Sequence, residues 1–267
     1  MSRLVLGLGL TGLGLLLVVL GAFWLPHEAE ALSGPPLAPP SWAHPFGTDW
    51  FGRDVLSRVM AGGRASWAVA TLALAAGGTL GTLLGLVAGY FPGLGASLLL
   101  RAADALLAFP PVLLALLLAV LLGPGVPGVA VALALFNLPY FARLAHAGTL
   151  ELRTREFVLA ARSLGAGPGH ILLRHALPNL ASPLLVQATF SLATSLLAEA
   201  ALSYLGLGVP PPHPTWGRML GEAQTHLFRS PWPAVFPGLV LTGSVLGLNL
   251  LGDFLRDRLD PRLRRLP

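Results

Sequence analysis

Cysteine is absent from this chain, and so is lysine: all 17 basic residues are arginine. Without cysteine there can be no disulfide, thiolate metal site or cysteine nucleophile. Without lysine there can be no Walker A phosphate loop, because its lysine must reach the phosphates. Charge is scarce as well, 11% of residues against 54% hydrophobic, and mean hydropathy is +0.72. A soluble protein of 267 residues needs more charge than that to cover its surface, so a bilayer must solvate much of it. The net charge of +5 would suggest nucleic acid in a soluble chain. Here it reads as the arginine excess of cytoplasmic loops, with no nucleic-acid partner.

Six apolar runs are long enough to cross a hydrocarbon core, so the predicted class is an all-α polytopic membrane protein. They cover about Leu4–Leu25, Ala65–Tyr90, Ala96–Leu122, Val126–Leu144, Pro183–Leu205 and Ala234–Phe254. Phe91-Pro92-Gly93 and Gly123-Pro124-Gly125 separate the middle ones. The chain divides into a first transmembrane helix (1–25), an outer loop (26–63) and a core (64–267) with a cytoplasmic loop over 145–180. With the N-terminus inside, twelve arginines fall on the inner side and five on the outer, which places both termini in the cytoplasm. Ala29-Glu30-Ala31 resembles a signal-peptidase site, but the first apolar run is too long for a signal peptide and reads as a retained helix.

No catalytic constellation appears. Gly7-Leu8-Gly9-Leu10-Thr11-Gly12 fits the dinucleotide fingerprint only literally, since it sits inside an apolar run with no preceding strand. The seven histidines are scattered, His44 and His213 in outer loops and His170 and His175 in the inner one. The sequence predicts no metal site, no catalytic residue and no cofactor bound by this chain.

Inside the spans, Gly77, Gly81, Gly85 and Gly89 form a bare ridge on one helix face, a surface that lets another helix approach closely. That helix could belong to this subunit or to a neighbour. Arg101 and Asp104 stand at a spacing where helical side chains meet, predicting an ion pair or a transport role. Glu199 could line a water-filled path or hydrogen-bond a neighbouring helix. Asn137 and Asn249 read as interhelical hydrogen bonds.

The longest polar stretch, from Tyr140 to Ser182, is arginine-rich and lies between transmembrane runs. Arg153–Leu164 has good helix formers, with Phe157, Ala160, Ala161 and Leu164 on one face. Gly165 can end that helix in a left-handed conformation, and Pro168 can open a second short helix. The second should stop before Pro178, giving a helix-turn-helix across the inner face.

Ala160-Ala161, Gly165 and Leu177-Pro178 resemble the cytoplasmic loop of ABC importer permeases. Leu159 and His175 stand where that family has Glu and Ile. His44-Pro45-Phe46-Gly47-Thr48-Asp49 with Gly52-Arg53-Asp54-Val55-Leu56-Ser57-Arg58 is similar to the outer segment of dipeptide, oligopeptide and nickel importer permeases. So are Ala108-Phe109-Pro110, Arg174-His175-Ala176-Leu177-Pro178-Asn179, Glu199-Ala200-Ala201-Leu202-Ser203-Tyr204, Pro214-Thr215-Trp216-Gly217, Asn249-Leu250-Leu251-Gly252-Asp253 and Leu259-Asp260-Pro261-Arg262. The resemblance runs from about residue 40 to the C-terminus and is to the second, six-helix permease of such systems.

It implies a multi-pass protein of the plasma or inner membrane, in contact with lipid. A second homologous permease, cytoplasmic ABC ATPases carrying ATP and Mg²⁺, and an extracytoplasmic substrate-binding protein would be its partners. The ATPase contact would be Phe157, Ala160, Ala161, Leu164 and Gly165, rimmed by Arg155, Glu156 and Arg162. The outer loop Val209–Pro233 would meet the binding protein, although Trp216 and Trp232 could equally anchor the membrane interface. Di- or oligopeptide is the cargo the resemblance favours, with nickel chelates, glutathione and sugars carried by relatives. The competing class is a secondary transporter or channel driven by an ion gradient.

Overall fold

A computed structural model describes residues 2–123 and 125–259. Asp260, Pro261 and Arg262, and with them part of the last quoted block, lie outside the described residues. Regular structure among the described residues is helical, apart from two isolated bridges, Leu32 to Arg53 and Thr48 to Asp54. Five helical stretches are long and apolar enough to cross a membrane.

Helix α1 spans Ser2–Phe23 and α2 Val55–Tyr90. The second starts well before Ala65, so the outer loop ends at Asp54 rather than at Gly63. Asp54 explains the early start: its carboxylate caps α2 by accepting from the Ser57 backbone N–H at 2.8 Å. Hydropathy misses this first stretch because it carries Arg58 and Arg64.

The third apolar run is two helices, α3 (Leu94–Ala108) and α4 (Pro111–Leu122). Pro110 and Pro111 remove two backbone donors, and Phe109 turns extended (φ −86°, ψ 133°) before the first of them. Helix α5 (Val126–Leu152) runs past the expected Leu144, and α6 covers Glu156–Ser163.

The second inner helix does not stop before Pro178. Helix α7 (Pro168–His170) passes through a π-helical turn (Ile171–Ala176) directly into α8 (Leu177–Tyr204). A π-turn shifts bonding to i→i+5, as in Leu177 N–H to Leu172 C=O, and so absorbs the donor missing at Pro178. Asn179 Nδ2 donates to the His175 carbonyl at 2.7 Å. The inner half of the expected helix-turn-helix is therefore the first turns of a span. Helices α9 (Trp216–Gln224) and α10 (Trp232–Leu259) complete the chain.

Packing directions follow from close approaches. A Cβ on Gly77, Gly81, Gly85 or Gly89 would meet the carbonyl oxygens of Ala134, Leu138, Ala142 and His146 in turn. The ridge thus faces α5 of the same chain, in step every four residues, and α2 and α5 run parallel. By the same measure α1 runs antiparallel to α10, with Gly7 at Leu251 and Gly14 at Ser244. It also runs antiparallel to α2, with Gly21 at Met60 and Gly63 at Val18. Helix α8 is antiparallel to α5, with Gly148 at Leu180 and Asn137 bonded to Ser195. One end of the bundle therefore gathers the start of α1, the ends of α2, α5 and α10, and the start of α8.

Candidate functional site

At that end, α6 lies on the bundle by a single buried side chain, Val158. The rest of its apolar surface points away: Phe157 and Leu159 are half-exposed, Ala160 is exposed, Ala161 is partly covered, and Leu164 is 88% exposed. Gly165 ends the helix with φ +85°. Its N–H bonds to the Arg162 carbonyl and that of Ala166 to the Ala161 carbonyl, both at 3.0 Å, the paired bonds of a Schellman cap. Among the described residues nothing approaches the space a Gly165 side chain would take.

The charged rim is partly engaged. Arg155 pairs with Glu151 at 2.5 Å, and the Arg162 guanidinium sits 5.2 Å over the Tyr90 ring, tying α6 to the end of α2. Glu156 occupies the first turn of α6, where a carboxylate suits the helix dipole.

Beside α6 a cleft of about 820 Å³ opens between α5, α8 and α10, with Gly148, Glu151, Arg155, Asn179 and Arg256 among its walls. Gln187 and Phe190 line both this cleft and a smaller one of about 160 Å³ further along, shared with Phe136, Asn137, Tyr140, Ser191 and Thr194. The two form one groove leading from the α6 end toward the middle of the bundle. Gln187, Ser191 and Thr194 recur at helical spacing on α8, a polar stripe in an apolar span. That periodicity was readable from the sequence and is absent from the sequence-based candidates. Asn137 Nδ2 donates to Ser195 Oγ at 2.9 Å and so joins α5 to α8 beside the groove. Asn249 makes no side-chain hydrogen bond among the described residues.

Other intramembrane polar groups are placed differently from expectation. Asp104 pairs with Arg143 of α5 at 2.6 Å, not with Arg101, which is exposed. The α3–α5 contact brings a guanidinium across that the local spacing could not reveal. Glu199 is buried on α8 and accepts from Ser203 Oγ at 2.6 Å, its second oxygen having no hydrogen-bond partner among the described residues. It does not line the groove.

The opposite end is closed by charge. Asp49, buried, accepts the backbone N–H groups of Phe51 and Arg53 at 2.8 and 2.9 Å and pairs with both Arg53 and Arg58. Arg58, at 2% exposure, also reaches Glu222 of α9 at 3.0 Å, and Arg218 holds the same carboxylate at 2.9 Å. Burial alone would raise the Glu222 carboxyl, but Arg58, Arg218 and Arg53 outweigh it and hold it below the ordinary value. Trp216 is neither an interfacial anchor nor an outward surface. It is fully buried, and its Nε1 donates to the Val59 carbonyl at 2.9 Å. Gly217 lets α9 pack directly on the Ala200 backbone of α8. Trp232 is partly covered and stacks on Phe236.

Residues 81–265 match the family model described as binding-protein-dependent transport system inner membrane component. A glutathione transport system permease protein of Pectobacterium atrosepticum is 42% identical over 264 residues, covering 95% of this chain and 86% of that protein. Its Escherichia coli counterpart is 44% identical, covering 94% and 84%. A dipeptide transport system permease protein of Alkalihalophilus pseudofirmus is 42% identical, covering 84% and 74%. Among solved structures, a chain of the inward-facing MetNI methionine ABC transporter shares the fold, with a TM-score of 0.55 at 21% identity over 73% of this chain and 95% of that one. Sequence motifs, helical bundle and relatives agree: this chain belongs to the family of inner-membrane permease components of binding-protein-dependent transport systems.

Proposed function

We propose that this chain is one of two homologous permeases of an ATP-driven importer of di- and oligopeptides. It crosses the membrane six times with both termini in the cytoplasm, and α6 is its coupling helix. The observation that carries this reading is the α6 surface, where Phe157, Ala160 and Leu164 stand exposed at the arginine-rich end, covered among the described residues only by the His175 ring beside Phe157. An apolar face of that kind is left for another protein.

Topology supports it. Because α2 and α5 run parallel, with Val69 and Val129 in one core cluster, the chain must return from Tyr90 to the level of Val69. At 1.5 Å per residue that is roughly 30 Å, one bilayer crossing. Helices α3 and α4 together make the crossing that neither makes alone.

ATP binding on the separate ATPase subunits, with Mg²⁺ there, would draw the paired coupling helices together. The packed spans would then rock as near-rigid bodies, opening the groove alternately inward and outward. ATP must bind one of these states better than the other to shift the balance. The cargo reading rests on the dipeptide and glutathione permeases among the relatives and on the groove. Its narrow part offers amide and hydroxyl groups, Asn137, Tyr140, Gln187, Ser191 and Thr194, with no fixed charge. Such a lining bonds a peptide backbone without selecting its side chains. A substrate-binding protein would deliver the peptide at the outer end. A gradient-driven carrier or channel is not favoured by these relatives.

Affinity purification of the tagged chain from native membranes, with mass spectrometry of what is retained, tests the assembly. A second permease and Walker-motif ATPases are expected. Recovery of the chain alone, in a detergent that keeps other membrane complexes intact, would overturn the reading.

A further inference from the structure

Two histidines far apart in the sequence meet at the outer end. His27 follows α1, His44 sits in the outer loop, and their rings lie 4.7 Å apart, centroid to centroid. Both face the carboxylate of Asp54 at the start of α2, His44 Nδ1 at 3.0 Å from Oδ1 and His27 Nδ1 at 3.9 Å from Oδ2. One donor atom from each residue lies within 4.8 Å of the others. The cap bond and the His44 contact account for Asp54 and His44. They do not account for His27, whose Nδ1 is shielded from solvent and has no hydrogen-bond partner among the described residues.

We infer that His27, His44 and Asp54 form a binding site for one divalent transition-metal ion of the zinc type. Two imidazoles and a carboxylate are a donor set such ions accept, with bonds of about 2.0–2.2 Å. Ligands on a tetrahedron of that radius stand roughly 3.3–3.6 Å apart, close to the 3.0 Å between His44 Nδ1 and Asp54 Oδ1 and within the 4.8 Å that spans the three donor atoms. The ion takes the place of the proton between His44 and Asp54. The other Asp54 oxygen keeps its bonds from the Ser57 N–H and Oγ at 2.8 and 2.7 Å, which orient the carboxylate as outer-shell partners do. The His27 N–H bonded to Ser57 Oγ at 2.9 Å holds that residue over the site by its backbone. His27 is a third exposed while Asp54 is closed off, so the ion enters past His27 and keeps a fourth position for water. Bound there, it ties the end of α1, the outer loop and the start of α2 together. Hard ions such as Mg²⁺ and Ca²⁺, which want more oxygen ligands, are refused.

The test titrates the full-length chain, purified and stripped with chelator, with Zn²⁺ by calorimetry at neutral pH. One ion per chain is expected, with no heat from Mg²⁺ or Ca²⁺, a rise in Tm that chelator reverses, and weaker binding as pH falls. H27A removes a ligand without touching the helix cap. It should weaken binding by more than the roughly 10–100-fold that loss of an outer-shell partner costs. The double variant H170A/H175A, which removes the ring pair of the inner end, should bind as wild type does. Cobalt in the wild-type protein, where folding of a variant is not at issue, should give the intense visible bands of four-coordination. Absence of stoichiometric zinc, binding unchanged in H27A, binding lost in H170A/H175A, or a six-coordinate cobalt spectrum would each overturn the site.

Discussion

The two ends of this bundle are built on opposite plans. At the end capped by α9, charge is turned inward: Asp49, Arg53, Arg58, Arg218 and Glu222 satisfy one another, and Trp216 fills the space beneath. At the other end, α6 is held by Val158 and the Arg162–Tyr90 contact, while Leu164 and its neighbours are left uncovered. The α9 end pairs its charges within the chain. The α6 end leaves most of an apolar face uncovered by the described residues.

Arginine substitutions should separate the two ends most sharply. Arg58→Ala takes one of two guanidinium partners from the buried Asp49, which keeps Arg53, and a second partner from Glu222; breaking buried pairs of this kind costs up to about 3–5 kcal/mol. Loss of folded protein from the membrane is expected, measured by yield and Tm in detergent. Arg155→Ala removes a half-exposed pair and should change stability by less than about 1 kcal/mol. Equal effects would dissolve the contrast.

Gly81→Leu comes next. It drives a side chain into the Leu138 carbonyl and the Phe141 side chain, and overpacking of this kind costs about 1–3 kcal/mol. A lowered Tm is expected, whereas the same change at Gly95, which meets nothing within contact range, should be mild.

Gly165→Val is smaller in stability and larger in function. Its left-handed backbone costs an L-residue about 1–2 kcal/mol, which a bundle of this size should survive. Membrane levels should stay near normal while uptake falls at least about tenfold and ATP hydrolysis no longer follows cargo. Normal uptake would remove α6 from the coupling path.

The least effect is with pH. The folded Glu222 carboxyl is held below its unfolded value of about 4.3. Its contribution is therefore complete above that value and fades as pH falls through the folded one. Acid below about pH 4.3 should lower Tm in wild type, and Glu222→Gln should blunt that slope.

The sequence exposed what local chemistry controls and concealed what folding brings together. Glycines every four residues announced a bare helix face, and Gly165 announced its left-handed turn, because both depend on near neighbours alone. The partner of Asp104 depended on α5, the burial of Trp216 on α9 folding back against α2, and the meeting of His27 with His44 on the course of the outer loop. None of these has a local signature. Proline was misjudged twice, in opposite directions. Pro110 and Pro111 split an apolar run whose hydropathy looked continuous. Pro178, expected to stop a helix, is absorbed by a π-turn that no periodicity foretells.

The central claim is that the exposed face of α6 seats on an ATPase subunit. The absence of native cysteine makes the direct test clean. In the intact complex from native membranes, L164C and V158C are treated in turn with a short thiol-reactive crosslinker. The account predicts that L164C joins the permease to the ATPase, with a yield that changes when ATP is added, and that V158C, buried against this chain, does not. An assembled complex in which L164C gives no such product would contradict it.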